Sequence, residues 1–235
     1  MIKTRKEKYE GFSLVEMLIT IAIMGTVMII SSTVLSTLIR VSTVASNKIR
    51  ARNESEFVLE LLRRTIRNSD PSDVYVFRSH VPEGAGEART YDLENDVVKG
   101  VVDEAVYANG LPEGEVGNEI QFRPYGFSNW LCLGFFRDFT DPEKGYILWT
   151  SGYDLRDNHE TCFAPDSPSS YLMLLNSDYT NIKDFGISYM KSADGNYIIT
   201  FDIISEPMHW YLGPQAIIDR EVHRRGVVST EGIVW

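Results

Sequence analysis

Glu16 is the residue whose chemistry stands out, because it is the one charged side chain in an apolar run of 28 residues, 12–39. A carboxylate in a membrane-spanning helix costs roughly 2.5–3.5 kcal/mol at the bilayer centre and less near its edge. Such residues usually have a partner that relieves this cost. We therefore expect Glu16 to pair with a group of opposite charge. The alternative is that its side chain reaches the headgroups, since it lies near the start of the run.

Catalytic motifs are missing from the sequence. It contains no Gly-x-Ser-x-Gly, no His-Glu-x-x-His and no glycine-rich phosphate-binding loop. The histidines are isolated from one another and have no catalytic spacing: His80, His159, His209 and His223. The sequence therefore predicts a protein that is not an enzyme and that needs no cofactor.

One loop is rich in the oxygen ligands that calcium takes. Asp154, Asp157, Asn158 and Glu160 surround a histidine in a stretch that reads as a surface turn. Their spacing is not that of an EF-hand, and an ordinary acidic turn explains them equally well. Calcium therefore remains a weak candidate, and no other metal site is predicted.

A basic cluster near the end of the chain is the other concentration of charge. Arg220, His223, Arg224 and Arg225 lie within six residues. Single-stranded nucleic acid is commonly bound by basic grooves that also carry aromatic side chains on which bases stack, and no aromatic residue interrupts this cluster. The interpretation is a solvated face of a strand, with no nucleic-acid partner.

The apolar run itself predicts a membrane span. At about 1.5 Å per residue, residues 12–39 exceed a hydrocarbon core of roughly 30 Å, and they are too long for a cleaved secretory signal. Four basic residues are packed into positions 3–8, whereas four others spread over 40–52 before a long domain. This asymmetry predicts a single pass through the cytoplasmic membrane, with the N-terminus in the cytoplasm and the head outside.

The helical pattern continues beyond the span. Residues 12–70 contain no proline, and Asn68-Ser69-Asp70-Pro71 is a stop signal, so one helix over 12–68 is expected, about 86 Å long. Glu60 should pair with Arg63 and Arg64, which lie three and four positions later. One apolar stripe is predicted on its second half, formed by Phe57, Val58, Leu61, Leu62 and Ile66.

The head, residues 71–235, is acidic and reads as mostly β. It contains 12 basic and 26 acidic side chains. The clearest signal is a hairpin around Asp194-Gly195, with Ile187, Tyr189, Ile199 and Phe201 toward the core. Residues 82–118 read as a long loop with one strand or short helix over 97–107. Strands are predicted at 74–77, 119–122, 130–136, 146–149, 171–175, 185–191, 197–203 and 221–228.

Cys132 and Cys162, the two cysteines of the chain, both lie in the exported head. An oxidising exterior permits a disulfide, which for a loop of about 31 residues would stabilise the fold by roughly 3–4 kcal/mol on the chain-entropy model. Two free buried thiols are the alternative, because spacing alone gives no geometry.

The string Gly11-Phe12-Ser13-Leu14-Val15-Glu16, after a basic leader and before an apolar helix, closely resembles the N-terminal signal of type IV prepilins and pseudopilins. The resemblance implies cleavage after Gly11 by a prepilin peptidase and methylation of the new N-terminus at Phe12. It also implies that Glu16 pairs with the N-terminal amine of a neighbouring subunit. Two ions that are each costly in hydrocarbon would then relieve one another.

Two further features resemble the minor members of this family. Major pilins often carry a proline about twenty residues into the mature helix, where this chain has Ser31-Ser32-Thr33-Val34. The run from Asn53 to Arg67 is similar to the helix end of larger minor pilins and of J-type minor pseudopilins of type II secretion. Their partners would be other pilins or pseudopilins and a filament assembly platform in the membrane.

The resulting expectation is an α+β protein of the pilin-like fold, with a long N-terminal transmembrane helix continuing into a mostly antiparallel β-sheet head. Its parts are a cleaved leader, 1–11, the transmembrane half of the helix, 12–39, the amphipathic half, 40–70, and the extracytoplasmic head, 71–235. The expected function is a minor pilin or pseudopilin that primes or caps a type IV pilus or a type II secretion-like filament. The alternative is a single-pass membrane-anchored β domain that binds a ligand independently.

Overall fold

A computed structural model describes residues 11, 13–80, 88–102, 110–153, 163, 172–208 and 220–230. The contacts divide the chain into two units, 1–45 and 46–235. One long apolar helix is followed by mixed and mostly antiparallel sheets, which confirms the α+β class. The elements are α1 Leu14–Arg67, β1 Ser69–Phe77, β2 Ser79–His80, β3 Thr90–Asp92, β4 Val97–Lys99, β5 Val101–Val102, β6 Glu119–Pro124, β7 Asn129–Asp138, β8 Gly145–Tyr153, β9 Met173–Leu174, β10 Thr180–Lys191, β11 Tyr197–Pro207 and β12 Val222–Ser229.

Helix α1 begins at Leu14 and ends at Arg67, within two residues of the predicted bounds. It ends where the predicted stop signal begins, and β1 starts at Ser69. The Ser69 hydroxyl donates to the carbonyl of Thr65 at 3.3 Å, so one of the last helical carbonyls has a partner. Arg64 and Arg67 lie in the last turn, where positive charge is favoured by the helix dipole.

In the first unit, every residue of α1 from Leu14 to Ser42 is exposed. The most apolar 18-residue window of the helix has a mean hydropathy of 2.2, and none of it is buried. Among the described residues, α1 is the one helix long and apolar enough to cross a membrane. The hydroxyls of Thr20, Thr26 and Thr33 donate to carbonyls three or four residues earlier, so these polar groups are satisfied inside the helix.

In the second unit, α1 buries one stripe against the sheets. Val58, Leu59, Leu62 and Ile66 are at most 1 % exposed and belong to the main core. The predicted stripe is therefore wrong at Phe57, which is 58 % exposed. A rotation of about 100° per residue places position 59 on the same face as 62 and 66, and position 57 away from it.

The predicted ion pairs on the exposed side of α1 are confirmed. Arg64 Nε lies 2.9 Å from Glu60 Oε1, and Arg63 Nη1 lies 3.8 Å from Glu60 Oε2. These pairs lie on the surface, where each contributes at most a few tenths of a kcal/mol. The helix is held on the head by its buried stripe rather than by these charges.

The described strands form three sheets. The largest has seven strands in the order β1-β6-β7-β3-β4, with β8 also paired to β7 and β9 to β8. A second sheet has the order β10-β11-β12, and β2 pairs with β5 in a third. The predicted hairpin is β10–β11: Gly195 has a φ of +83°, and Ile187, Ile199 and Phe201 are fully buried. Tyr189 packs against the core while remaining partly exposed.

The segment 82–118, predicted as a long loop, contains three short strands among its described residues: β3, β4 and β5. Strand β3 pairs with β7 in parallel, with Thr90 opposite Arg137. A three-residue strand gives little periodicity, and its parallel partner lies more than 40 residues away, so neither was visible in the sequence pattern.

Two sets of hydrogen bonds join the seven-stranded and three-stranded sheets. Gly117, just before β6, exchanges two backbone bonds of 2.8 Å with Ile187 on β10. Leu111 bridges the two sheets as well, because its N–H donates to the carbonyl of Val76 on β1 at 2.7 Å and its carbonyl accepts from the hydroxyl of Tyr189 on β10 at 2.9 Å. The buried amide of Asn181 accepts from Gly145 N–H at 2.8 Å and so connects β10 to β8. The two sheets therefore enclose one core together with α1.

A polar contact fastens α1 to the turn between β9 and β10. Glu54 accepts hydrogen bonds from Ser177, at 3.0 Å from its backbone N–H and at 2.6 Å from its hydroxyl. Arg50 donates to the same carboxylate at 3.3 Å and stacks over the ring of Tyr179 at 3.8 Å. Burial raises the pKa of Glu54, but the hydrogen bonds outweigh this effect and hold the pKa below its ordinary value.

We predict that Glu54→Gln lowers the stability of the head by about 1 kcal/mol at pH 7. A pKa lowered by folding adds stability above the ordinary value of 4.5, and this stability is lost as the pH falls through the folded-state pKa. The difference between the variant and the wild type should therefore shrink as the pH falls below 4.5. Thermal unfolding of the full chain in detergent, followed by near-UV circular dichroism from pH 3 to 7, measures it.

The matched control is Glu60→Gln, because Glu60 pairs with helix arginines only and lies on the surface. Its effect should stay below about 0.5 kcal/mol at every pH. Equal losses in both variants, or a Glu54→Gln difference that does not shrink between pH 7 and pH 3, would contradict this role of Glu54.

Candidate processing and assembly site

The N-terminal end of α1 holds the predicted site residues. Gly11 is exposed, and a Cβ added to it would meet no atom within 4 Å. Phe12, the predicted new N-terminus, lies outside the described residues, so its methylation stays a prediction. Ser13 precedes the first helical residue, Leu14, and so occupies the N-cap position.

Ser13 and Glu16 form a reciprocal pair of hydrogen bonds. The backbone N–H of Ser13 donates to Glu16 Oε2 at 3.0 Å, and the N–H of Glu16 donates to Ser13 Oγ at 3.3 Å. This arrangement is a capping box, which gives partners to N–H groups that the first turn of a helix leaves free. Ser13 was not identified as a capping residue from the sequence, although Ser-x-x-Glu before an apolar run is the sequence pattern of a capping box.

The surroundings of Glu16 are exposed and apolar. Leu14, Val15 and Met17 beside it are each more than half exposed. Among the described residues, no cationic side chain forms an ion pair with Glu16, and Ser13 is the partner of its carboxylate. The predicted pairing with a charged group therefore needs a cation from outside the described part of the chain.

Cys132 lies on β7, is fully buried and is disulfide-bonded. It belongs to a second cluster on the seven-stranded sheet, together with Trp130, Phe136 and Phe163. Cys162 lies outside the described residues, so its pairing with Cys132 stays a prediction.

The other sequence candidates are only partly placed. Asp154, Asp157, Asn158 and Glu160, the weak calcium candidates, all lie outside the described residues, and calcium remains untested. Within the described ranges, no three His, Cys, Asp or Glu side chains are grouped so as to hold a metal. His223 is the one histidine whose side chain is described.

The basic cluster lies on or beside β12, where each member faces a carboxylate. His223 Nε2 lies 3.1 Å from Glu221, and Arg224 Nε lies 3.6 Å from Glu56 on α1. Arg225 is 3.8 Å from Asp202, and Arg220 is 3.9 Å from Glu206. Each of the three arginines thus has a carboxylate nearby, as on an ordinary solvated strand face.

Comparison with known families concerns the N-terminal segment alone. Residues 8–32 match the family model of the prokaryotic N-terminal methylation motif. No curated protein and no solved structure shows significant similarity to the chain. The matched segment contains Gly11, Ser13 and Glu16 and extends to residue 32 of α1.

The chain thus combines a prokaryotic N-terminal methylation motif, a long apolar helix and a β-sheet head. The long apolar helix and the match both fit anchoring in a membrane. The match further supports a role like that of type IV pilins or pseudopilins, whose motif family is structural rather than enzymatic.

We predict that Ser13→Ala loosens the first turn of α1 by about 1 kcal/mol without altering the head. The alanine removes the acceptor of the Glu16 N–H, so the amides of residues 15–17 should exchange about fivefold faster. Amide hydrogen exchange of the full chain in micelles measures this change.

Thr33→Ala is the control, because the Thr33 hydroxyl donates only to the carbonyl of Ile30, at 2.8 Å, far from the first turn. It should leave the exchange of the first turn unchanged. Exchange in Ser13→Ala that equals the wild type would show that the capping box does not hold the helix end.

Proposed function

We propose that the chain is a minor pilin or minor pseudopilin, a structural subunit that helps to prime or cap a type IV pilus or a type II secretion-like filament. A prepilin peptidase cleaves it after Gly11, and the new N-terminus at Phe12 is methylated. Its N-terminus faces the cytoplasm before cleavage, and its head lies outside. The observation that carries the proposal is the methylation motif at residues 8–32, which contains the cleavage position and Glu16.

The accessibility of Gly11 supports processing at this position. Gly11 is exposed and precedes the first turn of α1, so a protease can reach its peptide bond without unfolding the helix. Since no atom lies within 4 Å of a Cβ built there, the fold itself does not require a glycine. The glycine is then explained by the peptidase that reads it.

Glu16 supplies the assembly contact in this proposal. In the single chain its carboxylate has a neutral partner, Ser13, in exposed apolar surroundings. The ammonium of a neighbouring Phe12 would replace a neutral hydrogen bond with an ion pair inside a bundle of apolar helices. Such a pair is favourable because each ion would otherwise remain uncompensated in a low-dielectric environment.

The assignment as a minor subunit depends on the helix and the head. Helix α1 continues without a proline through the position at which major pilins often have one. The head also carries seven-stranded and three-stranded sheets, a large domain for one subunit of a densely packed filament. Both features suit a subunit present in few copies, at or near a filament end.

We predict that the protein isolated from membranes begins at Phe12 and is N-methylated, in cells that contain an active prepilin peptidase. Gly11→Val should block cleavage, because the peptidase reads a small residue there, while the head stays folded. Intact mass measurement of the membrane-extracted protein tests both. Gly25→Ala is the control, since Gly25 also has no atom within 4 Å of a built Cβ and lies within the span.

A chain that keeps Met1 in such cells would contradict the proposal and favour the alternative, an independently acting anchored β domain. An anchored receptor of that kind has no need of a new N-terminus at Phe12. Cleavage of Gly11→Val as efficient as that of the wild type would show that Gly11 is not the recognised residue.

We predict that Glu16→Ala yields a processed, folded and membrane-resident protein that is missing from sheared filaments. Breaking a buried ion pair costs about 3–5 kcal/mol, which is more than a hundredfold in incorporation. Glu16→Gln separates the two roles of this side chain, because its amide oxygen can still accept from Ser13 N–H but carries no charge. Immunoblots of sheared filaments and of membranes measure the distribution.

Both variants should be lost from filaments if the ion pair matters. Normal incorporation of Glu16→Gln together with loss of Glu16→Ala would assign the effect to the capping box instead. Loss of either variant from the membrane would point to a role in targeting.

A further inference from the structure

The face of β7 that carries Cys132 also carries a buried ion pair. Residues alternate between the two faces of a strand, so Trp130, Cys132, Gly134 and Phe136 share one face. Glu119 on β6 stands opposite Gly134 in the antiparallel register. A Cβ at Gly134 would lie 2.9 Å from Glu119 Cγ and 2.8 Å from the ring of Phe136. The side chain of Glu119 thus crosses β7 at the position next to Cys132 on this face.

Arg89 completes this ion pair. Its Nε and Nη2 donate to the two oxygens of Glu119 at 2.9 and 2.7 Å, and both side chains are at most 4 % exposed. A guanidinium that grips both carboxylate oxygens is held in one orientation. Nε and Nη2 therefore both bind Glu119, and Nη1 is left to donate to another residue.

The residue that Nη1 binds is Phe163. Arg89 Nη1 donates to the carbonyl of Phe163 at 2.8 Å, and the guanidinium lies 5.6 Å from the centre of its ring. The Phe163 ring packs edge-on against Phe136 with a centroid distance of 4.8 Å, and the residue is 3 % exposed. Phe163 is therefore fixed through its backbone and through its side chain.

The sequence places a cysteine beside this anchor. Cys162 directly precedes Phe163, and the Cα atoms of neighbouring residues are about 3.8 Å apart. Cys132 and Gly134 are two residues apart on one strand, which corresponds to about 6.7 Å. Phe163 belongs to the same buried cluster as Cys132 and Phe136. A disulfide needs Cα atoms about 4.4–6.8 Å apart, so anchoring Phe163 in this cluster favours a bond between its preceding neighbour in the chain and Cys132.

We propose that the Arg89–Glu119 pair is a preformed receptor for Phe163 that brings Cys162 to Cys132 and so directs the disulfide of the head. Phe163 binds to Arg89 before the disulfide forms, and the disulfide then stabilises the bound position of Phe163. Because the two events are linked, each strengthens the other by the same factor. The proposal rests on the predicted Cys132–Cys162 pairing and is independent of the role in a filament.

The test is the effective molarity of the two thiols in the full chain, held in detergent and equilibrated with reduced and oxidised glutathione. In this reaction the two protein thiols give two electrons and two protons to glutathione disulfide. One protein disulfide and two glutathione thiols result. Non-reducing peptide mapping first identifies the linked cysteines, and alkylation of free thiols then gives the equilibrium constant.

Arg89→Met combined with Glu119→Met removes the receptor without leaving a buried charge unpaired, a change that folds commonly tolerate. We expect the effective molarity to fall at least tenfold. Arg123→Met with Asp73→Asn is the control, because Arg123 donates to Asp73 at 2.9 Å on the neighbouring strands β6 and β1. It should leave the effective molarity within twofold of the wild type.

Phe163→Ala keeps the charges of Arg89 and Glu119 and removes only the ring of Phe163. It therefore tests whether anchoring of Phe163 directs the disulfide even if the double variant fails to fold. It should lower the effective molarity as well, while near-UV circular dichroism shows a folded head. An unchanged effective molarity in a folded Phe163→Ala protein would overturn the proposal. So would a peptide map in which Cys132 is joined to any residue other than Cys162 of the same chain.

Discussion

Helix α1 carries apolar side chains around its whole circumference up to Ile39 and buries only one stripe after Val44. The first half therefore needs an apolar environment on every side, such as the hydrocarbon of a membrane. The second half needs a sheet on one side and water on the other. The main core follows from this second requirement, because Val58, Leu59 and Leu62 define the face on which the sheets must pack.

The close approach of the helix to the sheet is possible because small residues lie between them. Ala51 and Ser55 are fully buried on the stripe, and the Ser55 hydroxyl lies 2.8 Å from that of Ser205 on β11. At Gly226 on β12, a Cβ would lie 2.8 Å from a methyl group of Leu59. Small side chains at these crossing points allow the larger ones farther along the stripe to fill the core.

Local patterns predicted the parts of the fold that depend on neighbouring residues. The end of α1, the Asp194-Gly195 hairpin and the Glu60–Arg64 pair each involve residues only a few positions apart. Phe57 was misplaced because the direction of the buried stripe depends on where the sheets lie. The Ser13–Glu16 capping box was equally local and could have been found from its spacing.

Contacts between distant residues could not be predicted in this way. Arg89 and Glu119 are separated by 30 positions, and Arg89 reaches Phe163 across 74. Their contact depends on the parallel pairing of β3 with β7, which places the residues before β3 beside the middle of the sheet. One sequence contains no signal for this register, because β3 is too short to show a pattern.

The two carboxylates of Glu119 and Glu16 have different roles, one within the chain and the other, as proposed, between subunits. Glu119 has its cation within the chain, is shielded from water and thereby fixes one arrangement of the head. Glu16 has a neutral cap worth about 1 kcal/mol and lies in apolar surroundings. Under the proposed function, a buried ion pair would exceed that cap, so the carboxylate would change partners when a neighbour arrives. An ion pair within the chain, like that of Glu119 with Arg89, would prevent this change of partner. The weaker hydrogen bonds of Glu16 with Ser13 therefore suit a residue that must later bind another subunit.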